Sequence, residues 1–237
     1  KRAYIRDEFS KIQIELSEKQ AEQFEQYYEM LIAKNEVMNL TAITEFEEVV
    51  QKHFIDSVMI KEVRELGDNE KWIDVGTGAG FPGIPLKIVY PQLQVTLLDS
   101  LNKRVKFLQE VVDALGLEQV EALHGRAEEY AKKAEYREQY DCCVSRAVAN
   151  LASLSEYCLP FVKVGGAFVP YKSGKIQEEI EAAGKAVEIL GGWIGQRKEF
   201  MLPGSDMYRC LLYIEKVKAT AKKYPRKAGM PTKEPLH

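Results

Sequence analysis

Residues 74–80 read Asp-Val-Gly-Thr-Gly-Ala-Gly and close a short apolar run at 72–75. Gly76, Gly78 and Gly80 stand two apart, a spacing that lets a backbone take positive φ and approach a ligand closely. Open α/β sheets bind ligands just beyond strand ends, where the strand order reverses. Gly78, Gly80 and Gly83 also satisfy the G-x-G-x-x-G spacing of dinucleotide sites. Two features oppose a pyrophosphate. Asp74 would repel it, and Pro82 and Pro85 crowd the helix start, where free N–H groups should receive phosphate. A carboxylate at Asp74 instead suits the ammonium end of S-adenosylmethionine (SAM), directly or through water. The loop therefore favours SAM over NAD or FAD, with a purely structural glycine turn as the remaining alternative.

Further candidates lie at the ends of later apolar runs. Asp99 follows Asp74 by 25 positions and closes the next run. A carboxylate there can accept both ribose hydroxyls of a nucleoside, and its bland alternative is the N-cap of a helix starting near 102. The turn Gly125-Arg126-Ala127-Glu128 should lie beside the adenine, with N–H groups near Ala127 and Glu128 facing its edge; helix capping is the alternative for Glu128. Ser145-Arg146-Ala147 ends the fourth run, where a transferred methyl group should lie. That end carries no N/D-P-P-Y run for an exocyclic amine and no Pro-Cys nucleophile loop. Cys142 and Cys143 stand too early to be displayed at its tip. Amino-N and carbon-5 methylation are therefore both disfavoured. His53 and Asp56 fall on an expected helix, and His53 reads as a packing residue rather than a catalyst.

The elements that must position these residues follow from periodicity. Residues up to about 66 read as helical. Ser17 with Gln20 forms a capping box, followed by Phe24, Tyr27, Tyr28, Leu31 and Ile32 at helical spacing. A break is expected at Asn35–Asn39, a second capping box at Thr44 with Glu47, and a third helix capped by Asp56 or Ser57. From Lys71 the pattern changes. Strands are expected at 72–75, 94–98, 120–124, 140–145 and 166–171, with helices at 82–90, 102–115, 148–159 and 174–190 between them. Such alternation implies a parallel, doubly wound sheet. Runs at 193–201 and 207–215, joined by Pro203-Gly204-Ser205-Asp206, make a terminal antiparallel hairpin. An α/β Rossmann-like sheet ending in a hairpin is the layout of the class I SAM methyltransferases. The expected organisation is a helical extension (1–66), a SAM-binding domain (67–217) and a basic tail (218–237).

Composition sets outer bounds. The 237 residues are 46% hydrophobic and 29% charged, with net charge −3. That suits one α/β domain with an extension and excludes a disordered chain. No apolar run approaches the roughly 20 residues of a membrane span, and the expected location is cytoplasmic. The four cysteines lack C-x-x-C spacing, so no metal is expected and they read as core residues of a reduced protein. Residues 216–237 hold seven basic residues against Glu234, a +6 segment following a −9 segment. Such a split marks either a polyanion-binding arm or a solvated tail.

At this point the chain resembles the RsmG family, also called GidB. The matching stretches are Asn39-Leu40-Thr41, His53-Phe54-Ile55-Asp56-Ser57, the glycine loop extended through Phe81-Pro82-Gly83-Ile84-Pro85, Ser145-Arg146-Ala147 and Pro225-Arg226-Lys227-Ala228-Gly229-Met230-Pro231. The resemblance implies methylation of N7 of a guanosine in the decoding region (530 loop) of 16S ribosomal RNA. It also implies SAM as methyl donor and S-adenosylhomocysteine as product. Gly76, Gly78, Phe81, Asp99, Ala127, Glu128 and Arg146 become the expected cofactor contacts, with Arg146 at the methyl-transfer end. Arg226, Lys227 and Lys233 become the expected RNA contacts. The implied partner is 16S rRNA or a small-subunit ribosomal particle, with neither a membrane nor an obligate protein partner. Guanine N7 has a free lone pair and no proton, so its methylation needs no general base and rests on positioning. A cation beside N7 would oppose the transfer, which leaves O6, a phosphate or the cofactor as the expected contact of Arg146. Two other readings stay open: a SAM-dependent enzyme acting on a small molecule or protein, and an NAD- or FAD-binding regulatory or redox protein.

Overall fold

A computed structural model describes residues 1–174 and 176–237. Its centre is a seven-stranded sheet of β1 (Lys71–Val75), β2 (Gln94–Asp99), β3 (Val120–His124), β4 (Tyr140–Ser145), β5 (Val162–Lys172), β6 (Gly192–Met201) and β7 (Tyr208–Lys216). The order is β3-β2-β1-β4-β5-β7-β6. β1 to β5 pair in parallel, whereas β7 runs antiparallel to both β5 and β6. The expected doubly wound sheet with a terminal hairpin is thus present. The order reverses between β1 and β4, so the ligand crevice belongs at their carboxyl ends.

Both faces of the sheet are covered, which is why β1 and β4 read as nearly continuous apolar runs. One face packs under α1 (Arg2–Ser10), α2 (Glu18–Met38), α3 (Phe46–Val49), α4 (Asp56–Val58), α5 (Gly83–Val89) and α6 (Asn102–Leu115). The other packs under α7 (Ala127–Tyr130), α8 (Leu151–Cys158) and α9 (Gln177–Ile189). Successive strand residues point to opposite faces; Trp72 belongs to the first core and Ile73 to the second. Phe9, Phe24, Tyr27 and Phe54 share one core with Trp72, Leu97 and Phe107, so the N-terminal helices are packed onto the sheet. Polar ties reinforce this. The Gln20 and Gln23 side-chain amides donate to Ile88 O and Leu115 O at 2.9 Å each.

Several local expectations are corrected. The Ser17 capping box forms, but the one at Thr44 does not. Helix α3 starts one residue later, with Glu45 at the N-cap and no side-chain cap. The break expected at Asn35–Asn39 comes at the last of these residues, Asn39, whose left-handed conformation (φ 51°) ends α2. Neither Asp56 nor Ser57 opens a new helix. The chain runs from α3 through a π-helical turn, Val50–Ile55, straight into α4. Both side chains are used elsewhere: Ser57 Oγ donates back to His53 O, and Asp56 binds Arg209. Lys216 does not belong to a displayed basic arm. It is fully buried, donating to Leu159 O (2.7 Å) and Val162 O (2.8 Å) beside Glu138, and burial lowers its pKa to about 8. All four cysteines are free and buried. Among the described residues no helix is long and apolar enough to cross a membrane.

Candidate cofactor and substrate site

The glycine loop turns sharply out of β1. Gly76 takes φ 70°, and a Cβ there would lie 3.2 Å from the Ala147 Cβ. Gly80 takes φ 109°, and a Cβ would meet the Tyr27 hydroxyl at 2.5 Å. That hydroxyl donates to Ala79 O at 2.6 Å, so α2 holds the loop from behind. Asp74, at 0% exposure, accepts through Oδ2 from Thr77 Oγ1 (2.7 Å) and Gly83 N (2.8 Å). Its Oδ1 is buried without a partner. Burial raises the Asp74 pKa to about 7. Half of this carboxylate therefore orders the loop, and the other half is a bare acceptor.

Asp99 closes β2. Its Oδ2 accepts from Gly78 N and its Oδ1 from Leu101 N, both at 2.9 Å. The N-cap of α6 is Leu101, so Asp99 is not the helix cap. Two backbone amides orient it, and each oxygen keeps a lone pair for another donor. Asp99, Gly76, Ala127, Glu128, Arg104 and Ala147 line a cavity of about 520 Å³. Its acceptors suit the hydroxyls and ring of a nucleoside, and Asp74, buried behind the Val75-Gly76 wall rather than lining it, adds negative charge that suits a nearby cation. The residues present thus fit SAM.

Gly78 N donates to Asp99 in the cavity wall, and the Phe81 side chain turns towards the helical layer. The Phe81 ring stacks on His53 (4.3 Å between centroids, 10° between planes) and packs near Tyr27 at 5.4 Å. It faces the helical layer and fixes the loop against it.

A second cavity, of about 560 Å³, opens beside the first, and Ala147, Val148 and Ala149 line both. Its other walls include Arg146, Tyr171, Lys172 and Arg209. The Arg146 guanidinium stands 3.3 Å from Asp56 Oδ2 and 3.1 Å from His53 Nδ1, and lies over the Phe81 ring at 5.5 Å. Asp56, itself fully buried, is gripped by Arg209 through Nε and Nη2 at 2.7 Å each. The helical layer, the glycine loop, β4 and β7 therefore meet at one charged cluster. Arg146 follows the carboxyl end of β4 and lines this second cavity within a buried ion pair. Arg209 was not legible in the sequence; its only signal is a cation next to the apolar run Cys210-Leu211-Leu212.

Burial, and then the Arg146 charge, lower the His53 pKa to about 3. Its Nδ1 accepts from Arg146, so Nε2 carries the hydrogen and donates to Thr41 Oγ1 at 2.8 Å. His53 is neutral and satisfied, as the packing reading required.

Glu128, in the first turn of α7, is buried and accepts from Gly229 N at 2.9 Å. The C-terminal tail thus reaches the cavity wall. It ends in α10 (Met230–Lys233), which lies against α8. Arg226 is not displayed: its Nη2 meets buried Glu156 Oε1 at 2.8 Å and its backbone N meets Oε2 at 2.7 Å. Lys227 and Lys233 are exposed. Among the described residues no three His, Cys, Asp or Glu side chains gather as a metal site.

Solved structures share this architecture. The chain superposes on a SAM-dependent methyltransferase from Aquifex aeolicus with TM-score 0.54 at 20% identity, covering 77% of this chain and 97% of that one. It superposes on M. jannaschii TYW2 in complex with AdoMet with TM-score 0.56 at 15% identity, covering 74% and 80%. At such identities the likeness concerns the fold, which is that of the class I SAM-dependent methyltransferases.

Sequence similarity is far closer. The family model GidB, described as rRNA small subunit methyltransferase G, matches residues 20–200. The chain is 56% identical to the ribosomal RNA small subunit methyltransferase G of Lachnoclostridium phytofermentans, over 94% of this chain and 92% of that one. It is 52% identical to the protein of the same name from Alkaliphilus metalliredigens, over 98% and 97%. The chain belongs to the GidB family.

Proposed function

We propose that this protein is a SAM-dependent methyltransferase of small-subunit rRNA, and that its target is N7 of a guanosine in the 530 loop of the 16S decoding region. One observation carries the reading. A cavity with nucleoside-binding chemistry abuts a second, cation-lined cavity across residues 147–149, at the sheet's switch point. When bound, SAM supplies an electrophilic methyl group. Asp99 holds the ribose hydroxyls, Ala127 and Glu128 face the adenine, and Asp74 Oδ1 answers the ammonium. Substrate enters on the Arg146 side.

The chemistry of this second cavity favours a nucleophile that needs no activation. His53 is neutral and engaged, the cysteines are buried in the core, Asp56 is committed to two arginines, and Glu179, on the cavity wall, is paired with Lys172 and accepts from Leu151 N. Guanine N7 needs neither a base nor a covalent intermediate, so orientation supplies most of the catalysis. Positive charge accumulates on the guanine during transfer. Arg146, clamped by Asp56 and His53, therefore serves at O6 or at a phosphate rather than at N7. Exposed Lys227 and Lys233 suit the RNA backbone, whose contacts make affinity salt-dependent. Family membership favours rRNA over a small-molecule or protein substrate, and sets aside the NAD or FAD reading. Methyl mapping of 16S rRNA from cells lacking the gene, with and without the gene restored, tests this. The mark should vanish and return; a 530-loop guanosine methylated equally in all strains overturns it.

A further inference from the structure

One basic residue of the tail, Arg226, points inward. Glu156 is fully buried on α8, and Arg226 supplies it with bonds from Nε, Nη2 and the backbone N. A buried carboxylate deprived of its partner is strongly unfavourable, so this pair fixes where the tail crosses α8. Downstream, Ser153 Oγ donates to Pro231 O at 2.8 Å, and the Tyr157 hydroxyl meets Thr232 Oγ1. Between these anchors Gly229, at φ 86°, aims its N–H at Glu128 Oε2. Glu128, Leu154 and Tyr157 all line the cofactor cavity. The tail therefore braces the wall opposite the glycine loop.

We infer that Arg226 is a cofactor-positioning residue, acting through Glu156 and Gly229 to hold Glu128 in the orientation that receives the adenosine of SAM. This rests on the assignment of the cavity to SAM. Arg226 is not among the residues lining the cavity, so it acts on the cofactor through its neighbours. The linkage is reciprocal: whatever the docked tail contributes to cofactor affinity, bound cofactor must return to tail docking. The exposed lysines Lys222, Lys223 and Lys227 sit on the same segment, so cofactor binding presents them in one arrangement.

The test compares wild type, Arg226→Met and Arg226→Lys by calorimetric titration with S-adenosylhomocysteine, and by steady-state methylation of small subunits. Arg226→Met should weaken S-adenosylhomocysteine binding about tenfold, the worth of one well-placed hydrogen bond. It should raise KM for SAM similarly and leave kcat at saturating SAM within about threefold. Arg226→Lys keeps the charge opposite Glu156 and should recover part of the affinity. RNA affinity at saturating cofactor, and its salt slope, should not change. A second measurement needs no variant: saturating S-adenosylhomocysteine should slow tryptic cleavage after Lys222, Lys223 and Lys227, while cleavage after exposed Lys198 stays constant. Normal cofactor binding by Arg226→Met, or a loss confined to RNA affinity and salt slope, overturns the inference. Tail cleavage indifferent to S-adenosylhomocysteine overturns it even where the variant fails to fold. No binding of S-adenosylhomocysteine by wild type would instead overturn the assignment of the cavity.

Discussion

Asp74→Asn should make the ligand-free protein more stable while weakening its hold on the cofactor. In the folded chain Asp74 titrates near pH 7 instead of 3.8, because burial opposes its ionisation. A raised carboxylate pKa means that the folded state keeps the proton longer. The contribution to stability is therefore greatest below pH 3.8, declines as pH rises towards 7, and is flat above. A shift of about three pH units corresponds to about 4 kcal/mol. Asparagine keeps the shape and the acceptor for Thr77 and Gly83 but cannot ionise. The stability difference, variant minus wild type, should grow from near zero at pH 4 to about 2–4 kcal/mol at pH 8. His53 works in the opposite sense. Its pKa falls from 6.5 to about 3, so its contribution is intact above 6.5 and is lost as pH drops towards 3. The two slopes offset each other in wild type between about pH 4 and 6.5, and the variant should expose the His53 slope alone. Urea unfolding at pH 4 to 8 in half-unit steps measures this. A difference that does not vary with pH would refute the assignment of a buried, half-bare carboxylate. The same variant should bind S-adenosylhomocysteine about 10- to 100-fold more weakly at pH 8, since a charged hydrogen bond contributes about 1.5–3 kcal/mol.

Other outcomes follow from the same geometry. Asp56→Asn leaves Arg146 and Arg209 without their shared carboxylate and should destabilise the fold by about 3–5 kcal/mol; a chemical denaturation midpoint within error of wild type would argue against a buried cluster. Tyr27→Phe removes the bond to Ala79 O and should lower stability by about 1–3 kcal/mol, seen in thermal unfolding. It should also raise KM for SAM, because the glycine loop loses its support from behind; unchanged stability and KM would dismiss that support. The pair Lys227→Gln and Lys233→Gln should reduce the dependence of log affinity on log salt by about one to two units for 16S rRNA, with S-adenosylhomocysteine binding untouched. An unaltered slope would place the RNA elsewhere.

What could be read in advance divides by sequence distance. The strands were legible because both faces of β1 and β4 are buried, which forces apolar runs that end at polar tips. Asp99 was legible for the same reason: it is the first carboxylate after such a run. The hairpin was marked by turn residues between two runs. The cluster around Arg146 was not legible. Asp56 and Arg209 lie 153 positions apart, and nothing local distinguishes their pairing from a solvated charge. The packing of Phe81 was not legible, because its motif shows that the loop needs an aromatic ring but not which side of the loop it packs on. The pairing of Arg226 with Glu156 and the burial of Lys216 were not legible for a related reason. Charge counting treats a tail as solvent-facing until a buried carboxylate or a ring of carbonyls is found to claim it.

The central claim is most directly tested by supplying purified protein with methyl-labelled SAM and small subunits or 16S rRNA from cells lacking the gene, then locating the label by nuclease mapping and mass spectrometry. The expected result is one 7-methylguanosine in the 530 loop, formed about 10- to 100-fold more slowly when Asp74→Asn replaces wild type at limiting SAM. Label on another atom or another nucleotide, or none on either substrate while S-adenosylhomocysteine binds normally, would contradict it.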